Sequence, residues 1–293
     1  MGSRLLILGS SGQVACDLPE AARLQGFSEA IAVGRGTADL VTTDALQLLE
    51  RIRPDAVINA AAYTAVDKAE TEREEAFALN ADMPGRFAVA SASMGIPFVH
   101  ISTDYVFDGS KAEPYVESDP RAPLGVYGHS KSAGEDAVRA ADGTSAIMRT
   151  AWVYGPHGSN FMKTMIRLAE TRPELGVVGD QIGCPTPSRD VAEGAVRLAK
   201  AMTTGQITGT SLFHCAGAGE ASWADFATAI FAEQSARGRP AAVVRAIPSS
   251  EYPTPARRPA NSRLASDRLE SAVGWRPQHW HNGLTDVFRA GSF

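Results

Sequence analysis

The stretch Arg4–Ala15, RLLILGSSGQVA, runs from an apolar segment through a glycine turn into the opening of a helix. An apolar run without polar alternation reads as a strand buried on both faces. Gly9 and Gly12 bracket the turn. Glycine permits a sharp bend and lets backbone amides come close to an anion, which a helix N-terminus also attracts. Ala15 stands where a small residue lets the helix pack tightly on the strand. The spacing is G-x-x-G-x-x-A rather than the G-x-G-x-x-G of the standard dinucleotide fingerprint. Glycine turns also follow strands that bind nothing, so the pyrophosphate reading depends on what surrounds this one.

Working outward, strand-like and helical patterns alternate. Ala30–Val33, Ala56–Asn59, Pro97–Ile101 and Ser145–Arg149 extend Arg4–Leu8 into a five-strand series. The intervening segments read as helices: from the glycine turn to about Leu24, Thr43–Ile52 with Pro54 as its stop, and Lys68–Met94 with an irregularity at Pro84 and Gly85. Apolar strands joined by helices predict an α/β fold, a doubly wound parallel sheet of Rossmann type whose ligand lies beyond the strands' carboxyl ends. The second half is less regular, with helices near Asn160–Glu170, Arg189–Ala201 and Ser222–Gln234, and strands near Gly176–Val178 and Ser211–Cys215. Ile247–Arg263, rich in Pro and Arg, reads as loop. Residues 1–155, with return segments near 188–215, are expected to form the dinucleotide-binding domain. Residues 156–187 and 216–293 are expected to form mainly a smaller C-terminal substrate-binding lobe.

Composition narrows the function classes. The 293 residues are 44% hydrophobic and 21% charged, ordinary for a soluble globular chain and against disorder. Twenty-eight basic against 33 acidic residues leave a net charge of −5, with no excess to neutralise nucleic-acid phosphates. No apolar run reaches the length of a membrane span, and the N-terminus lacks the pattern of a secretory signal. Cys16, Cys184 and Cys215 are scattered and odd in number, against a disulfide framework or zinc site and for a reducing cytoplasm.

Two sets of residues carry chemistry. At the cofactor end, Val33-Gly34-Arg35 follows the second strand without the acid that NAD-selective sites present to the ribose. Arg35 can pair with a 2′-phosphate, favouring NADPH over NADH, or simply be solvated. Asp39-Leu40 lies further on, where a carboxylate meets adenine or caps the next helix. Asn59-Ala60-Ala61-Ala62 ends the third strand in small residues, leaving room for a ligand or for tight packing. At the other end, the fourth strand runs into Ser102-Thr103-Asp104-Tyr105-Val106-Phe107, and Tyr127-Gly128-His129-Ser130-Lys131 gives Y-x-x-x-K at a helix start. Tyr127 and Lys131 share one helical face. An ammonium beside a phenol is expected to lower the Tyr127 pKa, making it a better proton donor to a developing alkoxide. Thr103 can hydrogen-bond the same oxygen.

Taken together, the glycine turn, NAAAYTAVDKAE (Asn59–Glu70), STDYVF, YGHSK, RTAWVYG (Arg149–Gly155), Asn160-Phe161, Asp180-Gln181 and YPTPARRPANSRL (Tyr252–Leu264) resemble the extended short-chain dehydrogenase/reductase superfamily. Within it they resemble the dTDP-4-dehydrorhamnose reductase family, over essentially the whole chain. The resemblance implies NADPH- or NADH-dependent reduction of the 4-keto group of a nucleotide sugar, dTDP-4-dehydro-6-deoxy-L-mannose, to dTDP-L-rhamnose. It implies Tyr127 as proton donor, Lys131 on the nicotinamide ribose and Thr103 at the keto oxygen. Gly12, Gln13 and Val14 would hold the pyrophosphate, with Gly9 in the turn. Asp39 and Leu40 would lie on the adenine side, and Ala61, Ala62 and Tyr63 at the cofactor's inner half. Asp104 and Trp152 would contact the sugar, and Arg257 and Arg258 the diphosphate. Some relatives dimerise through magnesium held by glutamates. The corresponding positions here are Asp17, Asp190 and Asp286, so a homodimer and a hard cation stay open and no metal is assigned to the site. Another reductase or epimerase of the superfamily, or a non-catalytic regulatory subunit on the same fold, are the alternatives.

Overall fold

Leu5, Leu6, Ile7 and Leu8 of β1 (Arg4–Leu8) are each 0% exposed, so this strand is covered on both faces. The computed structural model describes residues 2–291. After β1 come α1 (Gln13–Leu24), β2 (Glu29–Val33), α2 (Ala45–Ile52) and β3 (Ala56–Asn59). The Asp44 carboxylate caps α2 by accepting the Gln47 amide, satisfying one of the helix's free donors. α3 (Val66–Ala69), α4 (Arg73–Phe77), α5 (Met83–Ser93), β4 (Phe98–Thr103), α6 (Val126–Ala140), β5 (Ser145–Thr150) and the short β6 (Val153–Tyr154) follow. The rest comprises α7 (Phe161–Ala169), β7 (Glu174–Val178), β8 (Ile182–Gly183), β9 (Thr186–Pro187), α8 (Ser188–Thr203), β10 (Thr210–His214), β11 (Ala221–Ser222), α9 (Trp223–Ser235), β12 (Val243–Ile247), α10 (Asp267–Val273) and α11 (Trp280–Ala290).

Six strands pair in the order β10-β5-β4-β3-β1-β2, all parallel. β10 adds a sixth strand to the five-strand series read from the first half. The chain goes outward from β1 to β2, then returns to the other side of β1 as β3. That reversal opens a crevice at the carboxyl ends of β1 and β3, where doubly wound sheets bind ligands. Leu5 and Ile7 pack with Leu18, Val191 and Val196 under α1 and α8. Leu6 and Leu8 pack with Leu48, Leu49, Phe87 and Val138 under α2, α5 and α6. Each such side chain contributes about 1.5–3 kcal/mol by leaving water. A third core, including Met162, Leu175, Phe226, Ile230 and Leu284, joins α7, β7, α9 and α11 into the second lobe. α10 instead packs on the first lobe, Leu269 sitting in the α1/α8 core.

The segment Lys68–Met94 is not one helix. It breaks between Ala69 and Arg73, and Ala78–Asp82 is wound as a π-helix before α5 begins. Pro84 has no amide to donate to the Asn80 carbonyl four residues back. At that point α6 comes closest: a Cβ on Gly134 would lie 2.0 Å from the Asn80 carbonyl oxygen. The irregularity therefore falls upstream of Pro84, where two helices touch backbone to backbone.

Candidate active site

A cleft of about 570 Å³ opens at the carboxyl edge of the sheet, beside the β1/β3 reversal. Gly12, Gln13 and Val14 line it from the entry to α1, Ala62 from beyond β3, Thr103 and Asp104 from the end of β4, Tyr127 and Lys131 from α6, and Trp152 from beyond β5. Gly9 makes the turn at a φ of +113°, which side-chain-bearing residues avoid. Gly12 caps α1 with no side-chain hydrogen bond, and a Cβ there would meet open space. The first amides of α1 thus face the cleft free to bind an anion. Gln13 is held by Asn160, whose Nδ2 donates to its Oε1 at 2.8 Å, while Gln13 Nε2 donates to the Val153 carbonyl at 3.3 Å.

Other cofactor-end residues lie further out. Arg35 is exposed just past β2. Asp39 takes the Val41 amide on its carboxylate and the Thr43 hydroxyl on its carbonyl, fixing the turn before α2. Leu40 is buried in the core under α2 and α5. The Ala61 amide donates to Asn59 Oδ1 at 3.1 Å. Tyr63 donates its hydroxyl to Glu72 and its amide to Asn80 Oδ1, which braces this loop against the π-helix.

Tyr127 sits in the first turn of α6, edge-on to Tyr105 at 5.4 Å between ring centres. Burial pushes its phenol up to about 12, the Asp104 charge adds to this, and the Thr103 hydroxyl beside it pulls the other way. Lys131 donates from Nζ to the Ile101 carbonyl at 2.7 Å and lies 3.4 Å from His100 Nε2. Burial pushes it down to about 8 against the pull of Glu135. The net shift of Tyr127 is therefore upward rather than the expected lowering: desolvation of the phenol dominates, and the Lys131 ammonium is aimed at a backbone carbonyl. Thr103 donates to Asp104 Oδ1 at 3.0 Å. Burial raises Asp104 to about 6, opposed by Ser262, Thr103 and backbone amides. Beneath them Arg149 grips Glu135 with two hydrogen bonds of 2.7 Å, and Ser102 donates to the same carboxylate.

Trp152 holds a φ of +48°, a strained value for a bulky residue, and stacks on Trp223 at 3.5 Å and 7°. Trp223 also lines a second groove of about 410 Å³ with Phe161, Leu168, Tyr252 and Arg258. Arg258 pairs with Asp67 at 2.8 Å, and its Nη1 is buried without a protein partner. Arg257 is exposed and belongs to neither lining. Each of the three carboxylates matched to a metal position has a protein partner, although Asp190 Oδ2 is buried without one. Asp17 accepts from Ser188, and Arg189 bridges Asp286 at 2.7 Å and Asp190 at 3.5 Å. Among the described residues no three His, Cys, Asp or Glu side chains converge as a metal site.

His100, Asn80, Glu135, Arg149 and Trp223 were not singled out from sequence. A polar residue interrupting an apolar strand, as His100 does in FVHIS, is the signal that could have found the first.

A model of the RmlD substrate binding domain family matches residues 3–292. A dTDP-4-dehydrorhamnose reductase of Sinorhizobium fredii is 45% identical over 279 residues, 94% of this chain and 94% of its own. The chain belongs to the dTDP-4-dehydrorhamnose reductase family. Another such reductase, of Escherichia coli strain K12, is 39% identical over 96% of this chain and 95% of its own. The crystal structure of the Bacillus anthracis dTDP-4-dehydrorhamnose reductase in complex with NADP superposes with a TM-score of 0.90 at 35% identity, covering 99% of this chain and 100% of that one. Among the described residues no helix is long and apolar enough to cross a membrane.

Proposed function

We propose that the chain uses NADPH or NADH to reduce the 4-keto group of dTDP-4-dehydro-6-deoxy-L-mannose, giving dTDP-L-rhamnose. The observation that carries this reading is the convergence, on one cleft, of the open N-terminus of α1 with Thr103, Tyr127 and Lys131. The uncapped first turn fits the pyrophosphate of a dinucleotide, and the Thr150 hydroxyl, buried in the lining without a protein partner, offers a further contact. Bound there, the nicotinamide supplies a hydride. Tyr127 protonates the keto oxygen as charge develops, with Thr103 orienting it by a hydrogen bond. Asp104 and Trp152 position the sugar. Arg258 offers its unpartnered Nη1 to the diphosphate, and Arg257 has no such placement. The second groove beyond Trp223 accommodates the nucleoside.

Arg35 favours NADPH through its exposed guanidinium at the end of β2. At Asp17, Asp190 and Asp286 the Arg189 guanidinium pairs with two of the three carboxylates, which weighs against a divalent cation, while Asp190 Oδ2 is buried without a protein partner and is the one oxygen left to offer it. Three free thiols suit the reducing cytoplasm. Tyr127→Phe removes a single hydroxyl, so folding and cofactor binding persist while kcat falls by about 10²–10⁴. Near-wild-type kcat in that variant, measured by steady-state oxidation of the cofactor, would remove Tyr127 from this role.

A further inference from the structure

Behind Lys131 lies a chain of buried polar groups. Asn59 on β3 and His100 on β4 are partners in strand register. The Ala61 amide donates to Asn59 Oδ1 at 3.1 Å, and Asn59 Nδ2 lies 3.0 Å from His100 Nδ1. His100 Nε2 lies 3.4 Å from Lys131 Nζ, which donates onward to the Ile101 carbonyl at 2.7 Å. A backbone amide can only donate, so Asn59 must turn its oxygen to Ala61 and its amino group to the ring. His100 is fully buried, and burial together with the Lys131 charge holds its pKa well below the ordinary value, so the ring is neutral. With Nδ1 accepting from Asn59, the single ring proton sits on Nε2. That N–H points at Lys131. An ammonium has three donors and no acceptor, so a charged Lys131 meets donor with donor. A neutral amine accepts the bond. The donor count of this chain closes only when Lys131 has given up a proton.

We propose that His100 is a positioning residue whose fixed Nε2–H tautomer readies Lys131 to hand a proton to Tyr127. This rests on the assignment of Tyr127 as proton donor. After protonating the product oxygen, Tyr127 is a phenolate. Lys131, one turn along the same face, gives up one proton toward it, and the neutral amine left behind accepts the His100 N–H. Water then reprotonates Lys131, so each reduction draws one proton from solvent and no electrons pass through the chain. The order of affinities agrees, with the phenol near 12 and the ammonium near 8. The titratable groups that act on Lys131 are Glu135 on its own helix and His100 on β4, with Tyr127 one turn back on α6. Glu135 opposes the effect, but Arg149 and Ser102 already occupy its carboxylate.

Nitrogen-15 NMR of histidine-labelled, unliganded protein reads the tautomer directly. The expected result is a proton on His100 Nε2 and none on Nδ1 at neutral pH; a proton on Nδ1 overturns the proposal. In His100→Gln a carbonyl oxygen can face the ammonium, so the Lys131 titration, followed by NMR of its side chain, shifts up by about one pH unit or more. The alkaline limb of kcat shifts with it. An unchanged Lys131 midpoint in the folded variant overturns the proposal, and if the variant does not fold the tautomer measurement still decides. Full turnover by Tyr127→Phe would defeat the catalytic assignment instead, leaving the tautomer and the Lys131 midpoint as they are.

Discussion

Lys131 is 1% exposed, and its ammonium is satisfied mainly by one carbonyl. Burial lowers its pKa from 10.5 to about 8. Between those values the unfolded chain binds more protons than the folded one, so stability contributed at this site rises as pH climbs from about 8 toward 10. Lys131→Met removes the buried charge, and with it this pH dependence. The variant gains stability relative to wild type at pH 7, and the gap narrows as pH rises past 8; denaturant melts at a series of pH values measure it. A gap that stays constant over that range contradicts a buried, destabilised ammonium. The same variant loses turnover, because the group that reprotonates Tyr127 is gone. That Tyr127 and Lys131 share a face was legible from their spacing, and that Thr103 joins them in one cleft from its place at a strand end. The sign of the Tyr127 shift was not, since spacing reports which groups share a face and says nothing of how deeply that face is buried. His100 was hidden for a related reason: it is one polar residue in an apolar strand, and only its cross-strand pairing with Asn59, itself read from sequence merely as the end of a strand, turns the two into a network.

The face of α6 carries Tyr127, Lys131 and Glu135 at intervals of four, and the helix is held in place by its contact with the π-helix. Gly134 is what lets it approach. Gly134→Ala drives a methyl into the Asn80 carbonyl, a clash between backbone-anchored groups costing about 1–3 kcal/mol. Calorimetry would record that as a Tm lower by several degrees, with kcat falling further than cofactor affinity because the Tyr127 turn moves. A Tm equal to wild type would mean the two helices have room to separate. Periodicity read Lys68–Met94 as one helical pattern because the five-residue π-helix at Ala78–Asp82 is too short to leave a pattern of its own. The pattern registered Pro84 but not the carbonyl that Pro84 leaves free. At the sugar end, Gly183 lies under Trp152, and an added Cβ would stand 2.3 Å from its ring. Gly183→Ala should therefore displace the Trp152–Trp223 stack, raising KM for the nucleotide sugar by about tenfold while leaving KM for the cofactor unchanged. Equal KM values for the sugar in both proteins would show that Trp152 does not shape its pocket.

Across the whole molecule, the reversal of strand order between β1 and β3 sets the cleft, and α8 and β10 return to the first lobe after the chain has entered the second. The doubly wound sheet was legible because its strands are continuous apolar runs. The second lobe was less so: β6, β8, β9 and β11 are two residues each, too short for any pattern, and β6 and β11 enter the core of α7, α9 and α11 through Tyr154 and Ala221. The proposed preference for NADPH rests on Arg35, exposed at the far edge of the first lobe. An exposed guanidinium–phosphate contact gives roughly a tenfold preference for NADPH over NADH once solvent screening is included. Arg35→Ala should raise KM for NADPH by about that factor and leave KM for NADH nearly unchanged. The wild-type preference should shrink with added salt, and equal use of both cofactors at low salt would assign Arg35 to solvent. Net reduction at the one cleft is read most directly by incubating the purified protein with dTDP-4-dehydro-6-deoxy-L-mannose and NADPH and following both product and cofactor. The prediction is one NADPH oxidised for each dTDP-L-rhamnose formed; an altered sugar with no net oxidation of NADPH, as an epimerase would give, or no turnover at all, would contradict it.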